Sequence, residues 1–245
     1  HHLYGFQSVT KKFSTGKWLK LALKKIKEIK TRKKIPILVG GTGLYFKALT
    51  DGLVKIPNIS IKKRNQIIRL QKKLGQKKFY QQLIKIDPLI KNKINSNDIQ
   101  RSIRAYEIKK FTKKSIIKWF EETSIFFEPN AFLKIYLYFP RDDLILKINK
   151  RVDKMFNNGA IKEVKNFNKL KVKRDYSPNK VIGIKEITNL IKGKSNLQQT
   201  KEQISIKTRQ YAKRQSTWYR GQMQSWQRIE PKNIKLSLNN FLNIN

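Results

Sequence analysis

Ile35-Pro36-Ile37-Leu38-Val39-Gly40-Gly41-Thr42-Gly43-Leu44-Tyr45-Phe46-Lys47 is the stretch whose reading decides the fold. Its opening residues, rich in Ile and Val, predict a buried strand over 35–39. The run enters Gly-Gly-Thr-Gly directly, and Leu44 to Leu49 opens a helix predicted over 43–51. A strand, a glycine turn and a helix N-terminus leave backbone N–H groups and the positive end of the helix dipole able to face an anion. Glycine permits positive φ and close backbone approach, and Thr42 adds a hydroxyl donor. The pattern points to phosphate or diphosphate chemistry at the carboxyl end of a parallel strand. It is not a Walker A loop: the only Gly-Lys-Ser is Gly193-Lys194-Ser195, and no glycine stands five residues before Gly193. By itself the turn reads first as an ordinary strand-to-helix connection, because glycine turns are common punctuation.

The charge widens the reading. Among 245 residues, 56 Lys and Arg face 16 Asp and Glu, a formal charge of +40. A polyanionic partner follows, nucleic acid first. Lys is crowded together with Ile and Asn, as an AT-rich coding bias would produce, so the sign of the inference is kept and its size discounted. No cysteine is present, which excludes disulfides and Cys metal sites. The two histidines stand at positions 1 and 2, which leaves no ordinary His zinc site. No apolar stretch approaches the roughly 20 residues of a membrane span. No leader is recognisable, so no membrane partner and a cytoplasmic location are expected.

Upstream of the turn, Trp18, Leu19, Ala22, Leu23, Ile26 and Ile29 fall at helical spacing and predict a helix over 14–34, capped by Ser14. After Pro57 the character changes. Residues 60–122 read as short helices without strands: one capped by Ser60 and ended by Gly75, one around Phe79 and Leu83 ending near Asp87-Pro88, and one starting at Asn97-Asp98. A strand returns over 132–139. Helices follow over 141–158, 160–170, 184–192 and 199–221, then a short strand near Trp226 to Ile229 and a polar tail. The expected class is α/β: an α/β core formed by 1–56 and 128–245, interrupted by an all-helical insertion at 57–127. So few strands make a thin sheet.

Three segments carry polar chemistry. Gln100-Arg101-Ser102-Ile103-Arg104 clusters Gln100, Arg101 and Arg104 on one helix side, suited to phosphates or base edges. Arg151, on the helix with Lys147, Lys150 and Lys154, has the reach and fork to grip a diphosphate. Around Thr208 to Arg220, Arg209, Lys213 and Arg214 interleave with Tyr211 and Trp218, a composition that binds an RNA backbone and stacks bases. Each segment alone also reads as a solvated basic face.

Together these motifs resemble the tRNA isopentenyltransferase (tRNA dimethylallyltransferase) family. The match runs in order through Ile35–Lys47, Gln100–Arg104, Arg151-Val152-Asp153-Lys154-Met155 with Gly159, Lys180-Val181-Ile182-Gly183-Ile184-Lys185, and Thr208–Trp218. His1-His2-Leu3 matches a family segment too. The resemblance implies a P-loop-kinase-like parallel-sheet core with a helical insertion domain that contacts tRNA. It implies transfer of a dimethylallyl group from dimethylallyl diphosphate to N6 of an adenosine in the tRNA anticodon stem-loop, with Mg²⁺, by a monomer. It makes Thr42 and Arg151 the catalytic candidates, and Gly40, Gly41, Thr42 and Arg151 the diphosphate-binding ones. It assigns tRNA contacts to Arg64, Gln100, Arg101, Ser102, Ile103 and Arg104. Lys180, Val181, Ile182, Gly183, Ile184 and Lys185 match another tRNA-contacting segment, with Lys180 and Lys185 where the family commonly has Arg. Arg209, Lys213 and Arg214 complete the tRNA set. The family's P-loop and its general-base Asp in an Asp-Ser-x-Gln segment would lie before His1. The chain therefore reads as an N-terminally truncated member, expected to be inactive alone, with the main Mg²⁺ ligands also expected before His1. The alternative is a non-catalytic basic RNA-binding protein derived from the same family.

Overall fold

The computed structural model describes residues 1–245 except Pro129, Arg174, Asp175 and Asn245, and side chains as far as residue 240. In chain order the elements are α1 (Thr15–Thr31), α2 (Gly43–Thr50), α3 (Ile61–Ile86), α4 (Ile99–Thr112), α5 (Ile116–Glu121), β1 (Ile135–Leu137), α6 (Arg141–Asn157), α7 (Ala160–Lys169), α8 (Ile184–Ile191), α9 (Leu197–Gln222), β2 (Gln227–Ile229) and α10 (Ile234–Ile244). They form two compact units, His1–Lys47 with Pro129–Asn245, and Ala48–Glu128. The first division falls inside α2, earlier than the 56/57 boundary read from the sequence.

In the first unit, α1 starts where Ser14 accepts a hydrogen bond from Lys17 N–H at 3.3 Å, and it buries Leu19, Ala22 and Ile26. The sheet is a single parallel pair: Ile135 lies opposite Gln227, Tyr136 opposite Arg228, and Leu137 opposite Ile229. Tyr136 stacks on Tyr219 with ring centroids 3.8 Å apart, which ties β1 to the end of α9. The core lies between α6, α7, α8 and α9, where Ile148, Val152, Ala160, Val164, Ile187 and Ile204 are buried together.

The strand predicted over 35–39 is not formed. The residues keep a strand's alternation, with Ile35, Ile37 and Val39 exposed and Pro36 and Leu38 half-buried. Among the described residues no partner strand completes a ladder beside them. Apolar, β-branched composition favours a strand only when neighbours cover it. The glycine turn therefore does not stand at the end of a paired strand, and the carboxyl-end argument made from the sequence does not apply. The strand predicted over 132–139 shortens to the three residues of β1 for the same reason: only these are opposite β2.

The helical unit is organised by α3 and α4. Ser60 caps α3 by accepting from Lys63 N–H, and Asp98 caps α4 by accepting from Arg101 N–H at 2.9 Å. Gly75 stands at φ 70°, ψ 166°, outside helical space, so α3 is two helices meeting at a kink there, as expected from the sequence. Phe79, Leu83, Ile90, Ala105 and Ile108 are fully buried in this core, and Phe79 packs on Tyr106 at 5.0 Å. Burying a Phe or Leu side chain contributes roughly 1.5–3 kcal/mol. Helices α5 and α10 are additions to the sequence reading. The run that became α5 is only six residues, and α10 lies in the segment read as a tail.

Candidate functional site

The glycine turn is held from below by α9. Gln215 Nε2 donates to the Gly41 carbonyl at 2.9 Å, and Lys47 Nζ donates to Gln222 Oε1 at 2.6 Å. Trp18 stacks on Tyr45 at 4.5 Å, while Phe46 meets the edge of Trp226 at 5.3 Å. Tyr45 N–H donates to the Thr42 carbonyl at 2.9 Å, which starts α2. At Gly43 the contact with the Trp218 ring is close enough to demand glycine, while at Gly41 only the end of the Gln215 side chain would have to move. A Cβ on Gly43 would stand 2.1 Å from Trp218 Nε1, and one on Gly41 would stand 2.0 Å from Gln215 Nε2. Gly40, Gly41 and Thr42 face solvent, and the Thr42 hydroxyl makes no hydrogen bond among the described residues. The outer rim of the turn thus offers a free donor beside a helix N-terminus, the arrangement that receives anionic oxygens.

Arg151 is exposed on α6, and its neighbour Val152 is buried in the core. Its neighbours three and four residues away on α6 are Lys147, Ile148, Lys154 and Met155, none of them a carboxylate, and Asp153 is paired with Lys201 of α9 at 2.7 Å. Among the described residues its guanidinium has no carboxylate partner. No hydrogen bond or ion pair among the described residues joins Arg151 to the turn. The residues of α9 that reach Asp153 and Gly41 are Lys201 and Gln215, about 20 Å apart along a helix that rises about 1.5 Å per residue.

In the helical unit, Arg64, Gln100 and Arg101 are exposed, Ile103 and Arg104 are half-buried, and Ser102 is fully buried. Ser102 accepts from Gln76 Nε2 at 3.2 Å, and the same amide donates to the Ser96 carbonyl. Its hydroxyl fastens α4 to α3 and faces no solvent, so in this geometry it supports the cluster from inside. Arg101 pairs with Asp98 at 2.8 Å, and Arg104 with Glu107 at 3.1 Å.

The segment Lys180 to Lys185 divides similarly. Lys180, Val181 and Lys185 point outward, Ile182 and Ile184 pack on the core, and Gly183 is buried at φ 106°. Glu186 holds this turn from behind. Its Oε2 accepts from Gly183 N–H at 2.8 Å, and its Oε1 is paired with Lys207 of α9. This is the reciprocal half of a capping box, because Gly183 has no side chain with which to return the bond. Burial pushes the Glu186 carboxyl upward. The bonds from Lys207 and the backbone N–H groups of Glu186 and Gly183 outweigh it, and the pKa lies below the ordinary value. A carboxyl depressed on folding stabilises the fold above its unfolded pKa and loses that contribution as pH falls through its folded pKa. Glu186→Gln is therefore expected to destabilise the first unit at neutral pH by about 1–3 kcal/mol. The difference from wild type should shrink as the pH drops below about 4, the ordinary glutamate range. Urea titrations at neutral and acid pH measure both, and a difference independent of pH would exclude the ion pair as the cause.

On α9, Arg209 is half-buried while Lys213 and Arg214 are exposed, and the Arg214 guanidinium lies 5.6 Å from the centre of the Tyr211 ring. This gives a basic surface with an aromatic face. A cavity of about 270 Å³ lined by Asn130, Phe132, Leu133, Lys134, Ser225 and Gln227 contains none of the candidate residues. Among the described residues no three His, Cys, Asp or Glu side chains lie together as a metal site. No described helix is long and apolar enough to cross a membrane. Gln215, Gln76, Glu107 and Glu186 were not anticipated. The spacing of Arg104 and Glu107 was a usable signal, since residues three apart on a helix are neighbours. Gln215 and Gln76 act on residues distant in sequence, which leaves no local trace.

Comparison with known proteins places these features in one family. Residues 1–222 match the family model of IPP transferase. The chain is 56% identical over 236 residues to a tRNA dimethylallyltransferase of Pelagibacter ubique, spanning 96% of this chain and 75% of that protein. It is 44% identical over 225 residues to a tRNA dimethylallyltransferase of Rickettsia massiliae, spanning 91% of this chain and 62% of that protein. Among solved structures it resembles the full-length tRNA isopentenylpyrophosphate transferase of Bacillus halodurans, with TM-score 0.63 and 30% identity over 99% of this chain and 77% of that one. A eukaryotic dimethylallyltransferase acting on tRNA aligns with TM-score 0.70 and 29% identity over 86% of this chain and 54% of that one. The chain belongs to the IPP transferase family, and its fold is of the P-loop-kinase-like α/β class expected from the sequence.

Proposed function

We propose that the protein carrying these residues modifies tRNA, transferring a dimethylallyl group from dimethylallyl diphosphate to N6 of the adenosine beside the anticodon. The observation that carries this reading is 56% identity, along 96% of the chain, to a protein named tRNA dimethylallyltransferase. The geometry supports it with a free hydroxyl on a glycine turn, an unpaired arginine on α6, and basic faces on α4, α8 and α9.

In this reading the adenosine leaves its stack so that N6 reaches the allylic carbon. A C–N bond forms at that carbon, and the bond from carbon to diphosphate oxygen breaks. The electron pair leaves with diphosphate, and the amine proton passes to a general base. Thr42 and Arg151 are assigned to the developing charge on the leaving oxygens, where fixed donors act most strongly. Arg64, Gln100, Arg101 and Arg104, the 180–185 segment, and Arg209, Lys213 and Arg214 are assigned to tRNA. Cations on exposed faces bind the backbone with strong salt dependence. Mg²⁺ bound to the diphosphate would add to the charge stabilisation.

The test is incubation with unmodified tRNA and radiolabelled dimethylallyl diphosphate, followed by nucleoside analysis. Label on N6 of the anticodon-loop adenosine is the expected result. Salt-sensitive tRNA binding by the complete encoded protein, with no transfer, would replace this reading with that of a non-catalytic RNA-binding protein.

A further inference from the structure

The basic face of α4 contains two arginines held in different ways. Arg101 is 67% exposed, and its partner Asp98 is a cap residue that also accepts from the backbone. Arg104 is 35% exposed, and its partner Glu107 is 1% exposed. A carboxylate buried to that degree, with its Oε2 atom lacking any hydrogen-bond partner, is costly to the fold. Among the described residues its one polar contact is the guanidinium of Arg104 at 3.1 Å. A guanidinium has five N–H donors in a planar fork. Glu107 engages Nη1 and leaves the others available, with the plane of the fork set from within the protein.

We propose that Glu107 is a positioning residue for tRNA binding: its buried carboxylate orients Arg104 so that the remaining donors meet an RNA phosphate already aligned. This rests on the tRNA reading above. An arginine ordered before binding loses less side-chain freedom on contact, and the fork geometry is what makes an arginine–phosphate contact bidentate.

Electrostatics alone predicts the opposite effect of mutation, which makes the proposal testable. Glu107→Gln removes a negative charge from a chain of net charge +40, so a long-range charge effect would tighten tRNA binding. Positioning predicts that binding weakens, by roughly three- to tenfold, as one charge-assisted contact loses its alignment. Binding of unmodified tRNA is measured at one fixed salt concentration for wild type, Glu107→Gln, Arg104→Ala and the double variant, with thermal melting of each. The proposal expects Glu107→Gln to weaken binding in the wild-type background and to add no further loss once Arg104 is alanine. Unchanged or tighter binding by Glu107→Gln would overturn it, as would an equal loss in both backgrounds. If Glu107→Gln does not fold, Arg104→Lys serves instead: it keeps the charge without the fork and is expected to show the same loss, and wild-type affinity in that variant would overturn the proposal. Wild-type protein that does not bind tRNA would remove the tRNA reading and this inference together. Wild-type binding with an inert Glu107→Gln would remove the inference alone.

Discussion

Gly52→Ala is expected to destabilise the helical unit by roughly 2–5 kcal/mol. Gly52 follows α2 at φ 88°. A Cβ there would stand 2.2 Å from the Ser124 carbonyl oxygen and 3.0 Å from its carbon, with Thr123 Cγ2 at 2.9 Å. Two costs combine. An L-residue in the left-handed region costs about 1–2 kcal/mol, and an overpacked methyl adds about 1–3 kcal/mol. The obstacle at Gly52 is backbone, so no rotamer change relieves it, whereas at Gly41 the obstacle is the end of the Gln215 side chain. Gly75→Ala isolates the backbone term: φ 70° with ψ 166° costs a side-chain-bearing residue about 1–3 kcal/mol, but nothing lies within 4 Å of the added carbon. It should show the conformational cost alone. Urea unfolding, with amide hydrogen exchange followed in α3 and α4, separates the two. Equal destabilisation by both substitutions would show that the Ser124 contact is not enforced.

The helices of this chain were largely legible because their signals are local. Ser14, Ser60 and Asp98 each cap the helix that follows, as their positions before periodic apolar runs required. Strands were less legible, because a strand depends on a partner. Ile35 to Val39 has the composition of a central strand yet no ladder, and 132–139 pairs only where β2 lies opposite. The candidate site divides along the same line. The arginines and glycines proposed for the site stand in ordered motifs that the sequence displays. What holds them was not: Gln215 reaches Gly41 across 174 positions, and Gln76 reaches Ser102 across 26. Ser102 shows the consequence. The family resemblance implied that it contacts tRNA, but on α4 Ser102 turns inward between Arg101 and Arg104, and there it meets Gln76.

Arg151→Ala is expected to lower kcat for prenyl transfer by about 10²-fold or more while changing the dissociation constant of tRNA by less than about twofold. The expectation follows from what surrounds the side chain. No carboxylate stands three or four residues from Arg151 on α6 and none pairs with it among the described residues, so its guanidinium is free to meet an anionic ligand. Charge on diphosphate grows as the allylic carbon–oxygen bond breaks. A donor that responds to that growth therefore stabilises the transition state more than the bound substrates, and its loss appears in kcat. A surface cation serving only RNA behaves differently: its removal weakens tRNA binding and flattens the salt dependence by about one charge while leaving kcat intact. The assay is steady-state transfer alongside equilibrium tRNA binding in the complete encoded protein, with Arg151→Lys as a third variant that keeps charge but lacks the fork. A loss of affinity equal to the loss of turnover would move Arg151 from the diphosphate to the RNA surface.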